Sequence, residues 1–127
     1  MADLRSPLSR VRYLGSAKEG THHWWAQRLT ALALIPLVIW FVVSIICLSG
    51  ADYGAVRAWV ASPLSMVLLI LTLAMTFWHG ALGLQVVIED YIHVEWQKIT
   101  LLVLLKGAAL LLTVIGIVAI ARIAFGG

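Results

Sequence analysis

Three transmembrane α-helices with almost no soluble domain, an all-α integral membrane fold, are what this sequence predicts, and composition, charge spacing and loop length each point to it. Of its 127 residues, 62% are hydrophobic and only 12% are charged, against roughly a quarter charged in soluble domains. A water-soluble fold of this size buries only about two-thirds of its unfolded surface, so a sequence this apolar would leave large patches facing water. Hydrocarbon is the solvent that removes the conflict.

Charged residues divide the apolar material into segments of spanning length. None falls between Arg28 and Asp52, and residues 29–49 supply the ~20 apolar positions that ~30 Å of hydrocarbon requires of a helix. The first span is placed at about residues 22–49. The chain is again uncharged from residue 58 to 88, and Ser62-Pro63 makes a natural helix start, which puts the second span at about 63–88. Between residues 99 and 121 the only charge is Lys106, and the third span is placed at about 99–124.

The remaining segments are too short for a second domain. Residues 50–61 and 89–98 read as linkers, and no internal repeat or low-complexity tract is present. Residues 1–20 form an arm carrying Arg5, Arg10, Arg12 and Lys18 against Asp3 and Glu19. Four basic residues beside a span follow the positive-inside rule, which places the arm in the cytoplasm rather than marking it as a presequence. With three crossings the 89–98 loop is then cytoplasmic and the C-terminus lies on the opposite side. That loop carries Lys98 against Glu89, Asp90 and Glu95, but acidic residues count for little in this rule. The net charge of +3 thus reflects topology, and no nucleic-acid partner is expected. Cys47 stands alone inside an apolar span, so neither a disulfide nor a cysteine metal site is expected.

The informative residues are those that membrane helices normally avoid. His79 lies eleven residues before Asp90, about 16 Å along a helix and near mid-bilayer. Ionisable groups at such depth are costly and usually face the bundle interior or bind something. Gly83 lies one turn on from His79, with Thr72 and Thr76 on roughly the same face, so side-chain bulk is low where a flat cofactor needs space. The same small residues could instead admit a close neighbouring helix, leaving His79 as an interhelical hydrogen-bonding group. A neutral imidazole in this setting is a good axial ligand for haem iron. A low-spin haem needs two such ligands. His22, His23 and His93 all fall near the cytoplasmic surface, so a haem at His79 has to be shared with another polypeptide, and the chain becomes one part of a larger complex.

A second constellation lies at the cytoplasmic ends of the first two spans. Eleven steps of about 100° return almost to the starting direction, so Asp90 shares a helix face with His79. Tyr91 is its neighbour, and across from both stands the run Gly20-Thr21-His22-His23-Trp24-Trp25-Ala26-Gln27-Arg28. Trp24 and Trp25 fit an interfacial aromatic belt, and Arg28 fits a side chain snorkelling to headgroups. The same residues could also make a polar pocket at the lipid boundary for the head of a hydrophobic-tailed quinone.

These stretches carry a resemblance. The run from Thr21-His22-His23-Trp24-Trp25 through Arg28-Leu29-Thr30-Ala31, together with His79-Gly80-Ala81-Leu82-Gly83 and its Asp90-Tyr91 ending, resembles the hydrophobic membrane anchor of bacterial succinate dehydrogenase, respiratory complex II. That enzyme has two anchors, and the Ser-x-x-His-Arg-x-Thr-Gly pattern of the companion anchor is missing here. The resemblance implies that the chain is half of a heterodimeric anchor bundle in the bacterial inner membrane. It docks the flavoprotein and iron–sulfur subunits, and no catalytic succinate site belongs to it. It further implies that His79 is one axial ligand of haem b, the other coming from the companion anchor. Tyr91 corresponds to the tyrosine that hydrogen-bonds a ubiquinone carbonyl. Asp90 corresponds to the aspartate that holds the quinone-site arginine of the companion anchor. Arg28 and His22 match positions near the haem propionates, where an arginine can pair bidentately with carboxylate. Glu89, an extra acid beside Asp90, departs from the pattern. In span three, Gly107, Ala108, Gly116 and Ala119 read as close-packing positions.

Two other classes fit parts of the sequence. A fumarate reductase anchor would run the reaction in reverse with a low-potential quinone. A purely structural three-helix scaffold, or a small transporter component, would leave His79 without haem. The orientation is open to direct test: a cysteine introduced between residues 89 and 98 should be labelled from the cytoplasmic side when the soluble subunits are absent, and one near Phe125 from the other side. The reverse labelling would overturn the topology.

Overall fold

The computed structural model describes the backbone of residues 14–126 and the side chains of residues 20–126. Arg5, Arg10 and Arg12 of the basic arm, with Asp3, lie outside the described residues, and of Lys18 and Glu19 only the backbone is described. Among the described residues four helices follow in order: α1 (Leu14–Leu48), α2 (Tyr53–Ala61), α3 (Pro63–Tyr91) and α4 (Glu95–Phe125). No strand occurs among the described residues. Three stretches are long and apolar enough to cross a membrane: Gly20–Leu48, Pro63–Tyr91 and Glu95–Phe125. At 1.5 Å per residue each exceeds the ~30 Å of hydrocarbon, so each tilts or projects beyond it.

The boundaries follow from local chemistry. Gly50, with φ of 84°, takes the left-handed conformation that closes the turn after α1, at little cost because it has no Cβ. Asp52 caps α2, its side chain accepting a hydrogen bond from the Ala55 amide at 2.9 Å. Pro63 pushes Ser62 into an extended conformation, which ends α2 and opens α3 with proline in its first turn. Pro36 is carried inside α1. Its missing amide leaves the Leu32 carbonyl without its helical donor, a defect that membrane helices tolerate.

Two linkers differ from the sequence expectation. Most of residues 50–61 is the helix α2, and the second turn is only Ile92, His93 and Val94, because α3 runs on through Tyr91 and α4 begins at Glu95. Likewise α1 begins at Leu14, inside the stretch read as an arm. Helical hydrogen bonding does not stop where hydrophobicity stops, and charged residues at the water boundary continue it.

Helix α3 is the centre of the bundle: α1 and α4 each pack along it, and α2 touches both α3 and α4. Trp59 of α2 stacks on Trp40 of α1, with ring centroids 5.6 Å apart and planes at 26°. Arg57 of α2 donates from Nε to the Ile123 carbonyl at 3.2 Å, placing a cation at the negative end of α4. Val60 and Leu82 are the only buried apolar side chains among the described residues, while large apolar groups along every span face outward. In lipid that surface needs no cover.

Of the four small residues in the third span, Gly116 is the one against which another helix closes. A Cβ there would fall inside the envelope of Leu73 Cδ2 and lie 3.1 Å from Leu73 Cδ1 and Cγ, so the leucine side chain has to shift to admit one. Gly107 faces open space, and Ala108 and Ala119 are exposed. Gly116→Val should therefore destabilise the bundle by about 1–3 kcal/mol through overpacking, whereas Gly107→Val, with the same gain in helix propensity, should not. Thermal unfolding of the two variants in one detergent checks this, and equal midpoints would remove the Leu73 contact as a packing constraint.

Candidate functional site

His79 lies on α3 where α1 crosses it, and a side chain of α1 meets its ring. Thr30, 2% exposed and the only buried polar residue among those described, has its Oγ1 2.9 Å from His79 Nδ1. The same hydroxyl lies 2.7 Å from the Ala26 carbonyl and 3.0 Å from that of Gln27. This is the usual back-bond of a threonine inside a helix. No described residue partners His79 Nε2.

Two recesses meet at the imidazole. One, of about 410 Å³, is an apolar trough along α1 lined by Ala31, Leu34, Ile35, Val38, Ile39 and His79. The other, of about 340 Å³, is lined by Trp24, Gln27, Arg28, Ala31 and His79. Ala31 and His79 belong to both, so an apolar trough continues into a polar mouth with the histidine at the junction. Gly80 and Gly83 leave open space where a larger residue would project a side chain.

Arg28 is anchored by its own helix. Its guanidinium carbon lies 5.1 Å from the centroid of the Trp24 ring, a cation–π arrangement, and Trp24 in turn meets Trp25 edge-on at 4.9 Å. It forms no ion pair with a described residue. Its charge thus remains available to an anion entering the recess.

The structure separates residues that the sequence groups at one depth. Because α1 begins at Leu14, Arg28 is about 21 Å along it and shares a recess with His79 rather than with the end of α3. Asp90 and Tyr91 lie about 16 Å or more beyond His79 along α3. Both are exposed, Tyr91 at 75%. His22 is also exposed and lines neither recess at His79. His23 is half-buried with its Nε2 enclosed and unpartnered.

Thr30 is the residue that sequence reasoning passed over. Its signal was a lone hydroxyl in the run Leu29-Thr30-Ala31-Leu32, but nothing in the sequence sets it level with a histidine 49 positions away. On the other side of α3 a groove of about 420 Å³ opens between α3 and α4, where Trp78, Gln85 and Lys106 are among the lining residues. It does not reach His79.

Comparison with known proteins places the chain in a family. Residues 2–121 match the family described as succinate dehydrogenase/fumarate reductase transmembrane subunit. The chain belongs to that family. It is 32% identical over 118 residues to a succinate dehydrogenase hydrophobic membrane anchor subunit of Rickettsia bellii, covering 93% of this chain and 94% of that protein. It is similar to the protein of the same name in Paracoccus denitrificans, at 28% over 93 residues, covering 73% of this chain and 72% of that protein. A succinate dehydrogenase membrane anchor subunit of Reclinomonas americana is 26% identical over 96 residues, covering 73% of this chain and 80% of that protein. The family match runs from the basic arm into the last turns of α4, so it takes in both His79 and the Asp90-Tyr91 end of α3.

Proposed function

We propose that this chain is the hydrophobic membrane anchor of a succinate dehydrogenase. It is seated in the bacterial inner membrane with its N-terminus in the cytoplasm, docks the flavoprotein and iron–sulfur subunits, shares haem b with the companion anchor, and forms part of the ubiquinone reduction site. The observation that carries this reading is family membership along nearly the whole chain joined to a membrane-depth histidine between an apolar trough and an arginine-bearing mouth.

These residues fit a haem. His79 offers an imidazole nitrogen with no partner among the described residues, its other nitrogen being held by Thr30. The trough is apolar as a macrocycle requires, and Gly80 and Gly83 leave space beside the histidine. Arg28, at the polar mouth, would pair with a propionate, whereas His22 lines neither recess and is placed near that edge by the family resemblance alone. When bound, the haem supplies a one-electron redox centre at the level of His79.

The end of α3 has the electrostatics of a docking point. Its last turn holds Glu89 and Asp90 and no basic residue, so two negative charges stand at the negative end of the helix dipole. A cation from another chain relieves that repulsion, and an arginine of the companion anchor paired with Asp90 does so while facing the quinone. Tyr91, exposed beside it, donates its hydroxyl proton in a hydrogen bond to a ubiquinone carbonyl oxygen and stabilises the negative charge that reduction places there. Succinate oxidation itself belongs to the soluble subunits. A fumarate reductase anchor is the second reading, since the family description covers both; the names of the relatives favour the first.

Two sets of variants in the assembled complex test the proposal. His79→Ala should remove or loosen haem b, read from the α-band of the dithionite-reduced complex. An unaltered bis-histidine spectrum would end the assignment of His79 as a ligand. Tyr91→Phe should leave assembly and succinate oxidation with an artificial acceptor intact while quinone reduction falls roughly ten- to a hundred-fold, as loss of one charge-assisted hydrogen bond predicts. Asp90→Asn should be at least as damaging, because it leaves the partner arginine without its counter-charge. Wild-type quinone reduction in both variants would remove the quinone-site reading and leave the haem assignment standing.

A further inference from the structure

We propose that Thr30 is a positioning residue that fixes the tautomer and the aim of His79, so that the lone pair available for a ligand is always on Nε2. Its consequence for haem rests on the reading above; the tautomer itself does not.

The argument is a proton count. A threonine hydroxyl has one proton to donate and lone pairs with which to accept. Two of the three groups around Thr30 Oγ1, the Ala26 and Gln27 carbonyls at 2.7 and 3.0 Å, can only accept. The hydroxyl proton is therefore committed to its own helix. The third group, His79 Nδ1 at 2.9 Å, must supply the proton of the remaining bond. His79 Nδ1–H donates to Thr30 Oγ1, and Nε2 is left unprotonated. Because Thr30 is 2% exposed, water cannot compete for its hydroxyl.

That arrangement does three things for an electrophile at Nε2. It stops the ring flipping, because a flip would break a buried hydrogen bond. It keeps a proton off the nitrogen that must bind. It also gives the distal N–H a fixed acceptor, the outer partner that metal-ligating histidines commonly have. Since Thr30 is on α1 and His79 on α3, the same contact makes ring orientation depend on how those helices cross.

The test has two arms. The first uses the full chain, labelled with ¹⁵N-histidine, in phospholipid bilayers without haem. The wild type should show His79 protonated on Nδ1, and Thr30→Val should shift it toward the Nε2–H form; any other wild-type form overturns the proposal. The second uses the assembled complex. Thr30→Val, which keeps the side-chain shape, should weaken haem retention roughly ten-fold or more and shift the haem reduction potential, because the axial imidazole loses the acceptor that fixes its distal N–H. Thr30→Ser should restore both, which a purely steric role of the threonine would not produce. Haem lost in His79→Ala but held at wild-type potential in Thr30→Val would overturn the positioning role alone. Haem unchanged in His79→Ala would overturn the haem reading, and the ¹⁵N spectra would still decide the tautomer.

Discussion

In hydrocarbon no water is present to complete a hydrogen bond, and the contact between Thr30 and His79 is organised by that constraint. A polar side chain in a membrane span must find its partner in protein. The Thr30 hydroxyl finds one in the carbonyls of its own helix, and its remaining acceptor capacity faces the imidazole. The direction of the bond between helices is thus inherited from the bond within a helix. The recesses that meet at the ring, and an Nε2 with no partner among the described residues, have their functional meaning only because this bond holds the ring in place.

The same solvent explains how so little core supports a defined fold. Each long helix satisfies its own backbone, so the bundle needs only local contacts to fix register: Gly116 closing on Leu73, Trp40 stacking on Trp59, and Arg57 holding the end of α4. The last two tie α2 across the bundle end opposite Asp90 and Tyr91. The outward apolar surface suits both lipid and the proposed second anchor chain, and a histidine with one nitrogen unpartnered among the described residues suits the proposed sharing of a ligand with that chain. Structure and proposed assembly therefore make the same demand, that the chain be completed from outside.

Depth divides the proposed work of the chain into two levels on α3. His79, with Thr30, Arg28 and the trough, sits well within the bundle, and Asp90 with Tyr91 about 16 Å further on at the helix end. The inner level is pre-organised by the contact between Thr30 and His79, as a ligand held in one orientation requires. The outer level is exposed and carries uncompensated charge, as a surface that awaits a partner and a diffusing substrate requires. One continuous helix connects them, so the tilt of α3 sets both together.

Sequence by itself determined the fold class, the three spans, the start of α3 at Pro63 and the singular character of His79, because hydropathy, charge-free length and proline chemistry act locally along the chain. It also made the family legible, through two motifs of contiguous residues. It did not determine that residues 53–61 are helical, since nine residues have no span-length signal and this helix is held by Trp40 and Ile123 from elsewhere. Nor did it determine the company of Arg28, which depends on where α1 begins and how deep it runs. The pairing of Thr30 with His79 was decided only by tertiary structure, because two residues 49 positions apart come level through helix lengths, a turn and a crossing that no local pattern encodes.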